Sequence, residues 1–196
     1  MAAAKDTRER ILRTAAALVR SGGLGSLTFD AVARRLGVSK QAVLYWFPKK
    51  EDLIAAVAVP WIRDEARAAL AAVEGAPDAA AAVRAFVRDV AEFHFADMDR
   101  FRLLYIAPQS GARPIRMTER LGEQVHPLTA TIYDALEERL ATRPNVSRIE
   151  ARRQAVAIHV AVLGLVMMVS MTEAMGDPLR HDRSDLVDAL ADLLSR

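Results

Sequence analysis

The sequence predicts an all-α protein of about nine helices, with a small N-terminal domain over residues 1–50 and a larger helical domain over residues 51–196. Apolar residues recur at helical spacing along the chain, and no segment rich in Val, Ile or Thr alternates with a period of two. Glycines and prolines separate the helical segments. Residues 1–50 have 10 Lys and Arg against 3 Asp and Glu, a net charge of +7, whereas residues 51–196 have 17 against 22, a net charge of −5.

The first three predicted helices are short and closely spaced. The first runs from about Thr7 to Ser21 and ends at the glycines that follow. Thr28 is placed to cap the second helix, which Gly37 ends because glycine readily adopts the positive φ that a tight turn needs. Ser39 is a suitable N-cap for a third helix, Lys40–Trp46. Two short helices joined by a tight turn are therefore expected between residues 28 and 47.

The third predicted helix has one apolar and one polar face. Val43 and Phe47 lie four residues apart and are expected to face the core. The outward face then carries Lys40, Gln41, Leu44 and Tyr45. A basic and aromatic helix after a tight turn is the layout of a helix-turn-helix, whose second helix enters the major groove of DNA.

The first 53 residues resemble the DNA-binding domain of the tetracycline-repressor-like (TetR) family. The matching pieces include Arg10-Ile11-Leu12, Gly37-Val38-Ser39-Lys40 and the run from Phe47 to Leu53. The resemblance implies that Thr28 and Lys50 hold phosphates at helix ends and that the third helix reads bases. Leu44 and Trp46 depart from it, since the family usually carries Tyr and His there. The predicted DNA-contacting residues are Thr28, Ser39, Lys40, Gln41, Leu44, Tyr45, Trp46 and Lys50.

The charge distribution agrees with a polyanion partner at one end of the molecule. A basic end joined to an acidic body suggests that only the basic end faces double-stranded DNA. The alternative is an ordinary helical domain whose basic surface is simply solvated. Cysteine is absent, which excludes a disulfide framework and a thiolate metal site. The first ten residues lack the apolar core of a signal peptide, so we expect a cytoplasmic protein.

Six further helices are predicted in the larger domain. The first begins near Lys49 and carries Pro60, where we expect a kink at the junction of the two domains. The others are a helix after the linker at residues 74–77, a short one at 100–106, one at about 114–141 with a second kink at Pro127, one capped by Ser147 that ends near Met175, and a last one capped by Ser184.

The helix capped by Ser147 is apolar on nearly all sides between Ala155 and Met171. His159 and Gly164 interrupt this run, which is slightly short for a membrane span, and we therefore expect no membrane association. A helix that is apolar all round needs partners all round. We expect a homodimer in which the last two helices of each chain form a four-helix bundle across a two-fold axis. The alternative is a monomer with this helix at its centre.

Several polar or soft residues lie on apolar helix faces of the larger domain, where they could line a small-molecule pocket or simply belong to the core. The predicted ligand-binding set is Trp61, Phe86, Phe93, His94, Met98, Phe101, Tyr105, Met117, His126, Tyr133, His159 and Met167. His94 and His159 are the stronger candidates, because a histidine in an apolar stripe needs a partner or a ligand. No two of His94, His126 and His159 have the i, i+4 spacing of metal ligands, and no metal site is predicted.

These observations favour a homodimeric transcriptional repressor that a small, largely apolar effector releases from an inverted-repeat operator. In the expected mechanism the effector shifts the population of helix arrangements, and the helix kinked at Pro60 moves the DNA-binding ends apart. No nucleophile motif or phosphate-binding glycine loop is present, and neither an enzyme nor a cofactor is predicted. Two alternatives stay open: a helical small-molecule-binding protein without active DNA binding, and a small helical enzyme.

Overall fold

The computed structural model describes residues 2–106, 119–176 and 181–196, and within these ranges it contains nine α-helices and no strand. The helices are α1 (Ala2–Gly22), α2 (Phe29–Leu36), α3 (Lys40–Trp46), α4 (Lys50–Glu74), α5 (Ala79–Phe95), α6 (Met98–Phe101), α7 (Glu119–Leu140), α8 (Arg148–Met175) and α9 (Arg183–Leu194). A short 3₁₀ helix over Leu24–Ser26 follows α1, and a π-helical turn over Arg102–Ile106 follows α6. The predicted all-α fold is confirmed.

The helix ends show why these segments fold where they do. The Thr28 hydroxyl accepts a hydrogen bond from the backbone N–H of Ala31 at 3.1 Å, and that of Ser39 accepts from Ala42 at 3.2 Å. Ser147 caps α8 in the same way, at 3.2 Å from the backbone nitrogen of Glu150. Each cap satisfies a backbone donor that the first turn of a helix leaves without a partner.

Two predicted helix starts are wrong. The first helix begins at Ala2 rather than near Thr7, since the alanines that precede Thr7 are strong helix formers. The N-cap of α9 is Asp182 and not Ser184. The Asp182 carboxylate accepts from both the backbone N–H of Ser184 at 2.8 Å and its hydroxyl at 2.6 Å, so Ser184 is drawn into the first turn. These bonds also lower the pKa of Asp182.

The two internal prolines do not end their helices. α4 runs through Pro60 and α7 runs through Pro127. A proline inside a helix removes one backbone hydrogen bond, and the bend predicted at each position stays a prediction. The predicted start of α7 at residue 114 lies outside the described residues. The domain boundary predicted after residue 50 also stays a prediction.

The chain divides into two compact units. The first comprises the described residues within 1–62 and 99–125, and the second those within 63–98 and 126–196. The core of the first unit joins α1, α2, α3 and the start of α4 through buried side chains that include Ile11, Ala15, Val19, Leu27, Val32, Val43, Phe47, Leu53 and Val57. Each such large apolar side chain contributes roughly 1.5–3 kcal/mol when buried, which holds the short α2 and α3 in place.

In the second unit, α5 contacts both α8 and α9. Its inward face is buried along its length, and the core includes Val83, Phe86, Val87, Val90, Ile132, Leu136, Leu140, Ile158, Val162 and Val166. The buried face of α5 carries His94 into the interior together with these aliphatic residues.

Helix α8 buries one side in this core and leaves another exposed. Its exposed apolar side chains are Ile149, Val156, Val160, Met167, Met168, Met171 and Met175. Among the described residues α8 is also the one helix long and apolar enough to cross a membrane, and 33% of its most apolar stretch is buried within the protein. The same composition is found in core and interface helices of soluble proteins.

Candidate DNA-binding surface and a buried histidine–carboxylate cluster

The turn between α2 and α3 sets the direction of α3. Gly37 ends α2 with φ +69°, in the left-handed region that other residues adopt only at a cost. The backbone N–H of Val38 then donates to the carbonyl of Ala33 at 3.0 Å. Val43 is fully buried and Phe47 is 3% exposed. With its inner face fixed in this way, α3 presents its opposite face to solvent.

The exposed face of α3 carries three of the predicted DNA-contacting side chains. Gln41 is exposed, and Tyr45 is exposed over 78% of its surface. Lys40 lies at the start of the helix, where its Nζ forms an ion pair with the Asp30 carboxylate of α2 at 2.9 Å. The amide, the phenol and the ammonium lie within two helical turns, which suits contact with base edges and phosphates.

The other predicted contacts have mixed surroundings. Leu44 and Trp46 are half-buried, and Trp46 packs against the core of the first unit while its ring meets that of Tyr45 edge to face at 5.2 Å. Packing therefore explains Trp46 at a position where the TetR family usually carries His. Lys50 is half-buried at the first position of α4. The Thr28 and Ser39 oxygens accept cap bonds, which leaves each hydroxyl proton available to a phosphate.

Two capped helices joined by a tight turn, of which the second has an exposed polar face, define the helix-turn-helix class of DNA-binding proteins. Residues 11–57 match the family model described as "Bacterial regulatory proteins, tetR family". The N-terminal domain thus matches the TetR family over these residues, and the family resemblance read from the sequence is confirmed there. A comparison with curated protein sequences gave no match.

Solved structures share the fold over nearly the whole chain. A protein of unknown function from Rhodococcus sp. RHA1 has a TM-score of 0.74 and 20% identity, covering 97% of this chain and 94% of that chain. The transcriptional regulator FadR from Bacillus subtilis, in complex with stearoyl-CoA, has a TM-score of 0.71 and 12% identity, covering 95% of this chain and 97% of that chain. A TetR/AcrR family regulator from Thermobifida fusca YX-ER1 has a TM-score of 0.62 and 20% identity, with 97% of both chains covered. At these identities the likeness is one of fold.

The predicted ligand-binding residues are not all brought together. In the first unit, Trp61 packs partly against the core with the Arg20 guanidinium over its ring at 5.8 Å. Phe101 is buried there beside the ring of Tyr105, at 5.3 Å. In the second unit, Phe93 and Met98 are half-buried, whereas His126 and Met167 are exposed. Met117 lies outside the described residues.

Four residues of the predicted set do converge in the second unit, around one that the sequence analysis missed. His94 and His159 lie against the carboxylate of Glu65 on α4, while the Phe86 ring and the Tyr133 hydroxyl contact the His159 imidazole. The Glu65 Oε1 lies 3.0 Å from the Nε2 of His159 and 3.2 Å from the Nε2 of His94. On its other side the His159 ring places Nδ1 3.2 Å from the Tyr133 hydroxyl.

This cluster is enclosed, since Glu65 and His94 are 0% exposed and His159 is 3% exposed. Burial by itself raises the pKa of Glu65, but the hydrogen bonds and charges of His159 and His94 outweigh it and lower this pKa to about 2. Burial and the nearby Glu65 carboxylate raise the pKa of Tyr133. Glu65 is therefore an ionised carboxylate inside the helical core, held by two imidazoles.

A sequence signal for Glu65 existed. It lies four residues after Trp61 and eight after Val57, in register with the inward stripe of α4. A carboxylate at such a position needs a partner, and His94 and His159 were already singled out as needing one. What the sequence could not give is that α4, α5 and α8 bring the three residues to one point.

Two surface cavities in the second unit lie elsewhere. One, of about 430 Å³, lies between α5 and α9 and is lined by residues including Arg88, Phe95 and Arg183. The other, of about 420 Å³, lies between α4 and α7 and includes Leu70 and Asp134. Among the residues that the structure describes, no predicted ligand-binding residue lines either cavity.

Proposed function

We propose that this chain is a homodimeric transcriptional repressor that binds an inverted-repeat operator and is released by a small, largely apolar molecule, and that it acts in the cytoplasm. The exposed face of α3, set in a TetR-family DNA-binding domain, carries the proposal. Gln41 and Tyr45 are the proposed base-reading residues, with Thr28, Ser39, Lys40 and Lys50 on the phosphates.

The exposed side of α8 supports the dimer. Val160, Met168 and Met175 are 60%, 48% and 75% exposed, and Leu193 of α9 is 61% exposed. An apolar strip of this kind on the last two helices would be costly in water and suits a self-complementary interface. A two-fold dimer also presents two α3 helices to one DNA duplex, about one helical turn or a multiple of it apart.

The proposed effector site is the helical core of the second unit. Flexible and aromatic side chains there, including Phe86, Phe93 and Met98, suit an apolar ligand. The FadR structure that shares this fold is a complex with stearoyl-CoA, which supports a largely apolar effector here. No catalytic role is proposed.

The test is a selection of DNA fragments bound by the purified full chain, followed by binding measurements at several salt concentrations. We expect an inverted repeat, and an affinity that falls steeply as salt rises because phosphate contacts release counterions. Gln41→Ala should change the selected bases, whereas Gln124→Ala, at an exposed glutamine of α7, should not. Recovery of no sequence above background would favour a helical ligand-binding protein without active DNA binding.

A further inference from the structure

Three helices of the second unit bring three metal-ligating groups to one buried point. The Glu65 carboxylate comes from α4, the His94 imidazole from α5 and the His159 imidazole from α8. One ligand atom from each lies within 4.8 Å of the other two. Two imidazoles and one carboxylate are a donor set that proteins use for Zn²⁺ and related first-row cations.

Two of the separations between these atoms are close to those of a coordinated ion. Bonds of about 2.0–2.2 Å at tetrahedral angles place neighbouring ligand atoms about 3.3–3.5 Å apart. The Glu65 oxygen lies 3.0 Å and 3.2 Å from the two Nε2 atoms. Movement of the carboxylate by a few tenths of an ångström would therefore bring both oxygen–nitrogen separations into the coordinated range.

The surroundings of His159 also fit a metal ligand. Its Nδ1 faces the Tyr133 hydroxyl at 3.2 Å while Nε2 faces Glu65. Histidine ligands usually bind the ion through one ring nitrogen and donate a hydrogen bond from the other, which fixes the tautomer and the ring orientation. With an ion on Nε2, the Nδ1–H of His159 would donate to the Tyr133 oxygen.

Enclosure of the cluster adds an electrostatic argument. Glu65 is completely buried, so its negative charge has no bulk water to solvate it. Without an ion the imidazole N–H groups donate to this carboxylate, whereas a divalent cation would attract it more strongly and use both Nε2 lone pairs. An ion at this point would join α4, α5 and α8 by three bonds.

We propose that Glu65, His94 and His159 form a buried binding site for a divalent first-row cation of the Zn²⁺ type. The inference goes beyond the proposed regulatory function and depends only on residues of the second unit. Since none of the three residues is more than 3% exposed, the ion would enter during folding or through transient opening of the helices, and it would exchange slowly.

The test uses the full chain, unfolded in guanidinium with a chelator and refolded with or without Co²⁺ or Zn²⁺. We expect one ion per chain after gel filtration, visible absorption from bound Co²⁺, and a higher Tm in excess Zn²⁺ because binding favours the folded state. Wild-type protein that retains no ion and gains no Tm would show instead that the three residues form only a hydrogen-bonded cluster, and would overturn the proposal.

Matched histidine variants locate the site. His94→Gln and His159→Gln should each abolish Co²⁺ retention, whereas His126→Gln and His181→Gln change exposed histidines and should leave it intact. Loss of the ion in the two surface variants, with retention in the two buried ones, would contradict the proposal. If the buried variants fail to fold, Tyr133→Phe provides the second test. We expect it to lower the affinity for the ion about 10–100-fold, and an unchanged affinity would count against the site. DNA selection by metal-free protein tests the regulatory function separately.

Discussion

Lys40 and Asp30 form an ion pair across the helix-turn-helix, with 2.9 Å between the Lys40 Nζ and the Asp30 Oδ2. The two side chains are 50% and 58% exposed, so the pair lies at the surface where DNA is proposed to bind. Exposed ion pairs of this kind contribute about 0.2–1 kcal/mol to stability. The Lys40 ammonium thus shares its charge with a neighbouring carboxylate in the free protein and would exchange this partner for a phosphate on DNA.

Removing the Asp30 charge should strengthen DNA binding. In Asp30→Asn we expect a several-fold tighter Kd at low salt, because a carboxylate no longer repels the phosphates and Lys40 is released. The free energy of unfolding should change by less than about 1 kcal/mol. Fluorescence anisotropy with the selected operator measures the first quantity and urea unfolding the second. Asp192→Asn makes the same change of charge on α9 and is the control. Weaker DNA binding by Asp30→Asn would mean instead that the ion pair positions Lys40 for its contact with DNA.

Lys50 and Gln41 should affect DNA binding in different ways. Lys50→Ala should weaken binding to all sequences alike and lower the steepness of the salt dependence, since a lost phosphate contact carries no sequence information. Gln41→Ala should relax base preference at one position by roughly 1–3 kcal/mol. Competition assays with single-base operator variants separate the two effects. Equal losses on every operator by Gln41→Ala would show that α3 lies differently in the groove.

Gly37 should be replaceable only at a cost in stability. A Cβ at this position meets no atom within 4 Å, so the penalty for Gly37→Ala comes from φ +69° and not from a clash. A left-handed residue other than glycine costs about 1–2 kcal/mol, and urea unfolding should show a loss of that size. Gly25→Ala is the matched control, since a Cβ there also meets nothing and its φ is not positive. Equal stability of the two variants would contradict this account of the turn.

The exposed methionines of α8 allow a test of the dimer. Met171 is 45% exposed, so Met171→Glu should leave the fold of the chain intact. If two copies pack through this face, the buried charges would be unpaired and the variant should sediment as a monomer with much weaker operator binding. Tyr45→Glu is the control, because it also replaces an exposed large side chain by a charged one, and it should not change the oligomeric state. A wild-type monomer at micromolar concentration would refute the proposed interface.

The two parts of the chain differ in how much their sequence reveals. The signals for α2 and α3 are local: the Thr28 and Ser39 caps and the αL glycine at Gly37 each act within a few residues. The Glu65 cluster depends on residues 29 and 94 positions apart in the chain, and only the packing of helices decides whether they meet. Periodicity predicted that His94 and His159 face inward, but not where they lie relative to each other.

The same long-range cluster should make the stability of metal-free protein sensitive to acid. The folded pKa of Glu65 is lowered to about 2 from 4.5. Above pH 4.5 the carboxylate is ionised in both states, and its contribution to the free energy of unfolding is complete. As the pH falls towards 2, the unfolded chain takes up the proton first, and the contribution is lost. Glu65→Gln cannot ionise, so we expect it to be less stable than wild type at pH 7, with a difference that narrows over this range. Urea unfolding measures this difference in stability, in the presence of a chelator and from pH 7 down to the most acidic pH at which the fold persists. A difference independent of pH would show that Glu65 is not held as a carboxylate.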